Sequence, residues 1–142
     1  MSVGAAEMVL ARAVAALKGV TGLAVYDHPP VQASVPYVVV DAGPVTDWGY
    51  KGGTGRELRL AITVWDRGER PARLRDLVRA SQLRVEAIEG EGEGWDLVSF
   101  QYLRERAVPP RPPTPNGLTA AVVEYRARLL ALQLPGEVLV VL

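Results

Sequence analysis

The spacing of apolar positions changes character several times along this chain. Over residues 5–18, Ala6, Val9, Leu10, Ala13, Val14 and Leu17 recur at the i, i+3, i+4, i+7 interval that lines one helical face. Glu7, Arg12 and Lys18 fall opposite, and Gly19 and Gly22 supply a stop. Leu23–Tyr26 predicts a short strand, ended by Asp27-His28-Pro29-Pro30, where consecutive prolines remove ladder donors. Tyr37–Ala42 is β-branched and mostly apolar, the pattern of a central strand. Arg56–Asp66 alternates: Leu58, Leu60, Ile62 and Val64 share one face, while Glu57, Arg59, Thr63 and Trp65 share the other. At ~3.3 Å per residue this predicts an unusually long strand of roughly 36 Å.

The helical period returns over residues 70–89, with Leu74, Leu77, Val78, Ser81, Val85 and Ile88 on one stripe. Glu89 to Gly94 alternates Glu and Gly and reads as a flexible acidic turn. Trp95–Arg106 predicts a strand with Val98, Phe100 and Tyr102 opposite Leu97, Ser99 and Gln101. Residues 107–117, AVPPRPPTPNG, read as a stiff proline-rich connector ending in an Asn-Gly turn signal. Leu118–Ala131 predicts the last long strand, Pro135-Gly136 a turn, and residues 135–142 an apolar C-terminal tail. The order α-β-β-β-α-β-β predicts an α+β fold: a mainly antiparallel sheet with two helices packed on it, one domain over residues 1–142.

Composition narrows the function. The 142 residues can bury a core without staples, and 49% of them are apolar. Sixteen basic and sixteen acidic residues cancel, which argues against a general nucleic-acid binder and permits self-association. Without cysteine there is no disulfide framework, thiolate nucleophile or zinc-finger ligand set. No signal peptide is evident at the N-terminus, and no apolar run approaches the ~20 residues a membrane span needs, so a soluble, cytoplasmically made protein is expected.

Candidate chemistry is sparse. Residues 49–56, GYKGGTGR, hold a glycine-rich loop, but Lys51 precedes the glycines and the loop enters a strand, so the phosphate-cradling geometry of a Walker loop is missing. The loop is either a flexible hairpin or an intermolecular contact. Asp27 beside His28 could suggest a general base, yet neighbours in extended backbone rarely point at each other and no nucleophile is signposted. Glu89, Glu91 and Glu93 lack the pattern of a calcium loop. Pro110-Arg111-Pro112-Pro113 resembles a ligand of proline-recognition domains, with a rigid connector as the plainer account. Val138, Leu139, Val140, Val141 and Leu142 are apolar β-formers that either pack on their own sheet or pair with a neighbouring subunit. No catalytic, cofactor or metal set emerges, and a protein whose surface is its function is expected.

The order of motifs resembles a family. Ala24-Val25-Tyr26-Asp27 with His28-Pro29-Pro30, Pro36-Tyr37-Val38-Val39-Val40, and Asp47-Trp48 before a Lys/Gly-rich loop come first. Leu60 to Trp65, Leu97-Val98-Ser99-Phe100 and Tyr125-Arg126-Ala127-Arg128 follow. From about residue 5 to about residue 131 this resembles the tail-completion or tail-terminator family of tailed phages and gene transfer agents. The proline-rich stretch and the segment after Gln133 depart from the family pattern. The resemblance implies a tail-terminator-like fold and a structural, non-enzymatic virion protein without cofactors. It implies a homohexameric ring that caps the head-proximal end of the tail tube, ends tube polymerisation and joins the tail to the head. The implied partners are the chain itself, the major tail tube protein and a head-tail connector or stopper, with no direct sequence-specific nucleic-acid binding and no membrane. It places the protein in the tail or neck of the particle, and in the host bacterial cytoplasm during assembly. By analogy, Trp48, Tyr50, Lys51 and Arg56 would contact ring neighbours or tube subunits. The alternative is a small α+β ligand-binding or enzymatic domain using Asp27 and His28; a third is an adaptor module using the proline-rich segment.

Overall fold

The computed structural model describes residues 3–112 and 117–132. In chain order these form α1 (Ala5–Leu17), β1 (Ala24–Tyr26), β2 (Tyr37–Asp47), β3 (Gly55–Arg67), α2 (Pro71–Val85), β4 (Gly90–Gly92), β5 (Trp95–Arg111) and β6 (Leu118–Ala131). The strands make one sheet in the order β1-β2-β3-β6-β5-β4. The sheet is mixed: β1 runs parallel to β2, and the other four pairings are antiparallel. An α+β fold with two helices on a sheet is what the periodicities predict.

Both helices lie on one face, for a reason visible in the alternation. Leu58, Leu60, Ile62 and Val64 of β3 stand beside Ala127, Tyr125, Val123 and Ala121 of β6 and are buried with them. Met8, Val9, Ala13 and Leu17 of α1 cover this apolar face, as do Val78 and Val85 of α2. Each fully buried Leu or Ile contributes about 1.5–3 kcal/mol. Tyr125 is the largest fully buried side chain; it stacks on Phe100 at 4.9 Å and donates its hydroxyl to Glu86 Oε2 at 2.7 Å, joining the sheet to the end of α2. Burial, ahead of the neighbouring Glu86, pushes its phenol well above the ordinary value. The start of α2 is pinned by a buried carboxylate. Asp66 accepts from Arg73 Nε and the Arg67 backbone N–H, each at 2.7 Å. Burial pushes the Asp66 carboxyl up, but these donors outweigh it and hold its pKa below the usual value.

Several boundaries differ from those the sequence predicts. β2 continues to Asp47 past a bulge at Gly43-Pro44, where Gly43 takes φ +149. Both Val35–Pro36 and Gly43–Pro44 are cis. α2 ends at Val85 rather than near residue 89. The Glu/Gly turn is a hairpin in which β4 pairs with the first residues of β5. β5 itself runs into the proline-rich segment as far as Arg111, because Ala107 and Val108 still pair with Ala121 and Ala120. A bulge between Leu97 and Ser99 shifts the alternation, so Leu97 and Phe100 both oppose core residues, Leu129 and Ala127, while Val98 is left 43% exposed.

Candidate assembly interface

The glycine-rich segment 48–54 prolongs the β2–β3 hairpin, in keeping with the hairpin reading of the sequence. Trp48 N–H donates to Gly55 O at 3.0 Å, and Tyr50 and Gly53 exchange backbone hydrogen bonds of 3.0 and 3.1 Å. The chain reverses at Lys51-Gly52, with Gly52 at φ +96. The Tyr50 ring lies across Gly53, where an added Cβ would sit 2.3 Å from it. The hairpin therefore presents Tyr50, 59% exposed, and Lys51 at its tip. Arg56 sits one turn back, donating to Gly55 O at 2.8 Å and facing Asp47 Oδ1 at 3.5 Å. Trp48 is half-buried, because the Arg128 guanidinium covers its ring at 5.2 Å from the centroid.

That contact leads onto the sheet face opposite the helices. β3 places Glu57 and Arg59 there, β6 places Glu124, Arg126 and Arg128, and β5 places Gln101, Arg104 and Arg106. Register brings them together: Glu57 opposite Arg128, Arg59 opposite Arg126, Arg104 opposite Glu124, and Gln101 opposite Arg126. Arg128 donates to Glu57 Oε1 at 2.7 Å, Arg104 pairs with Glu124, and Arg126 donates to Gln101. The Arg128 hydrogen bond, with help from Arg126 and Arg59, holds the Glu57 carboxyl below the usual range. Arg104 does the same for Glu124, aided by Arg106 and Arg59. The signal was present as polar residues at every second position of 57–59 and 124–128, but only strand register shows that these positions adjoin.

The remaining candidates are scattered. Contrary to expectation, Asp27 and His28 do point at each other, with His28 Nδ1 2.7 Å from Asp27 Oδ1. The turn after β1 curls the backbone enough to allow it. The hydrogen bond from His28 holds the Asp27 carboxyl below its usual value, yet the side chains are 57% and 73% exposed. Among the described residues, no group of three His, Cys, Asp or Glu could hold a metal ion. Val138 to Leu142 lie outside the described residues.

The described residues thus carry two exposed hairpins and a charged sheet face opposite the helices. The chain matches the family model described as Tail completion protein gp17 over residues 8–130, and it belongs to that family. Its fold is similar to that of a chain in the structure described as "Virion of native gene transfer agent (GTA) particle", at 24% sequence identity and a TM-score of 0.66. The alignment covers 91% of this chain and 100% of that one. A comparison with curated proteins found no match.

Proposed function

We propose that this chain is a structural protein of a phage-like tail that assembles as a hexameric ring at the head-proximal end of the tail tube. There it ends tube polymerisation and offers a surface to the head's connector or stopper. The family match over residues 8–130 carries this reading, and the likeness to a chain of a gene transfer agent virion supports it. The physics agrees in kind. Among the described residues, β5 beyond Leu97 has no partner on its outer side, and an open edge is a template for another chain. The same edge is broken by bulges at Val98 and Leu103 and by Pro109-Pro110, devices that oppose unlimited strand addition and favour a closed assembly. Trp48, Tyr50, Lys51 and Arg56 are the contact residues on the hairpin, and Val138 to Leu142 are a further candidate segment.

Cryo-electron microscopy of purified particles tests this. Six copies around the tail axis at the head-proximal end are expected, and particles lacking the protein there would overturn the reading. His28→Ala should leave assembly intact; loss of function in a folded His28→Ala protein would favour the enzymatic alternative.

A further inference from the structure

We propose that the open arginine face of one copy receives the acidic β4–β5 hairpin of a second copy, so that subunits join head to tail. This rests on the ring reading above and names the surfaces that would build it.

The face holds more positive charge than it neutralises. Glu57 and Glu124 pair with Arg128 and Arg104, while among the described residues no carboxylate comes within ion-pair distance of Arg59, Arg106 or Arg126. Arg59 and Arg126 are direct cross-strand neighbours, a like-charge pairing that destabilises an isolated sheet. Arg126 Nε is buried with no acceptor. An incoming carboxylate would bond the exposed guanidinium groups of Arg59 and Arg106, since charge-assisted bonds to guanidinium are the strong ones. Room exists beside Arg59: a recess of about 380 Å³ opens where β2 bulges at Gly43-Pro44, bordered by Thr46, Glu57 and Glu124.

The hairpin supplies what the face lacks. Glu89, Glu91 and Glu93 are exposed, separated only by glycines, and no side-chain hydrogen bond occupies their carboxylates among the described residues. Arg12 of α1 grips the backbone instead, donating to Glu89 O at 2.7 Å and Glu91 O at 2.6 Å. It passes so close to Gly92 that an added Cβ would lie 2.0 Å from its Nη2. The hairpin is thus held in place with its charges free. Glu93, at φ +55 before Gly94 at φ +92, sits at the tip in a two-residue turn that ordinarily takes Asn, Asp or Gly.

The sixteen positive and sixteen negative charges cancel in sum. Register puts Glu91, through Asp96 and Leu130, on the same sheet face as Arg126 and Arg128. Among the described residues, however, no ion pair joins the hairpin carboxylates to Arg59, Arg106 or Arg126 within one copy, so each is left to find its complement on another copy. Because face and hairpin are different surfaces, the contact is heterologous and repeats from subunit to subunit. A nucleic-acid duplex on the same face would leave the acidic hairpin without a complement.

A charge swap tests this. Arg59→Glu with Arg126→Glu, and separately Glu91→Arg with Glu93→Arg, are introduced into the full chain, and both changes are then combined. Circular dichroism melting establishes that each variant folds. Particle yield and end views of tails in negative stain are the readouts. Each single-surface variant should lose about tenfold or more of ring-capped tails, and the combined swap should recover most of them. Mixing the two single-surface proteins in one assembly reaction should also restore capping in part, since each retains one surface that suits the other. Hairpin variants that assemble like the wild type would overturn the inference. So would a face variant that the swap does not rescue and that has lost binding to a short DNA duplex measured by fluorescence anisotropy, which would make nucleic acid the occupant. Absence of rings from wild-type particles would defeat the ring reading itself, and the wild-type control reports that separately.

Discussion

The two faces of the central sheet come from the same residues of β3 and β6, read alternately, and they have opposite fates. On the covered face every second side chain is apolar and buried under α1 and α2, ending in Tyr125 at 0% exposure. On the open face the intervening positions carry Arg59, Arg126 and Arg128 with Glu57 and Glu124. Stability depends on the first set, because burial and close packing are what a core substitution disturbs. The second set contributes little to folding, since partly exposed ion pairs give only tenths of a kilocalorie. It includes one like-charge pairing, Arg59 with Arg126, set against the attraction of both arginines to Glu57.

The sharpest way to break this comparison is a pair of substitutions at adjacent residues. Tyr125→Ala should cost about 3–5 kcal/mol, the range for an aromatic removed from a packed core, measured by urea denaturation. Arg126→Ala, one residue on, should stay within about 0.5 kcal/mol of wild type. Comparable losses would mean the open face is a second packing surface. Next in size, Asp66→Ala should cost about 1–3 kcal/mol at neutral pH, because a buried acceptor for Arg73 and Arg67 is lost. The sign with pH follows from the lowered folded pKa. The Asp66 contribution is fully present above the unfolded value of about 3.9. It fades as pH falls through the folded value, so the stability curves of wild type and variant should converge in acid.

A smaller loss belongs to the β2–β3 tip. Trp48→Ala with Tyr50→Ala removes the stacking with Arg128 and the cover over Gly53, a change of about 1 kcal/mol that should lower Tm by only about 4 °C. Assembly into capped tails should nonetheless fail. A large drop in monomer stability would instead place these rings in the core. The smallest expected effect is at Arg59: Arg59→Thr relieves the like-charge pairing with Arg126 and gives up the attraction to Glu57 and Glu124, so stability should stay within about 0.5 kcal/mol of wild type.

Much of this molecule could be read from the chain alone. The alternation of Leu58, Leu60, Ile62 and Val64 defined a strand and its buried face, and the 3.6-residue stripes defined both helices, because burial acts on each residue through a local period. The Leu118–Ala131 strand carried its own boundaries. What the chain could not disclose depended on partners distant in sequence. The bulge at Val98 swapped the faces of β5 because pairing with β6 outweighed local alternation. β5 ran into a proline-rich stretch because Ala120 and Ala121 offered ladder partners there. The hairpin reading of the glycine-rich segment was open to the sequence, but the reciprocal bonds between Tyr50 and Gly53 that close it were not. Asp27 and His28 met because the turn after β1 brought their side chains round. The arginine face is the clearest case. A net charge of zero concealed it, since a sum over the sequence discards position, and only strand register placed Arg59 beside Arg126.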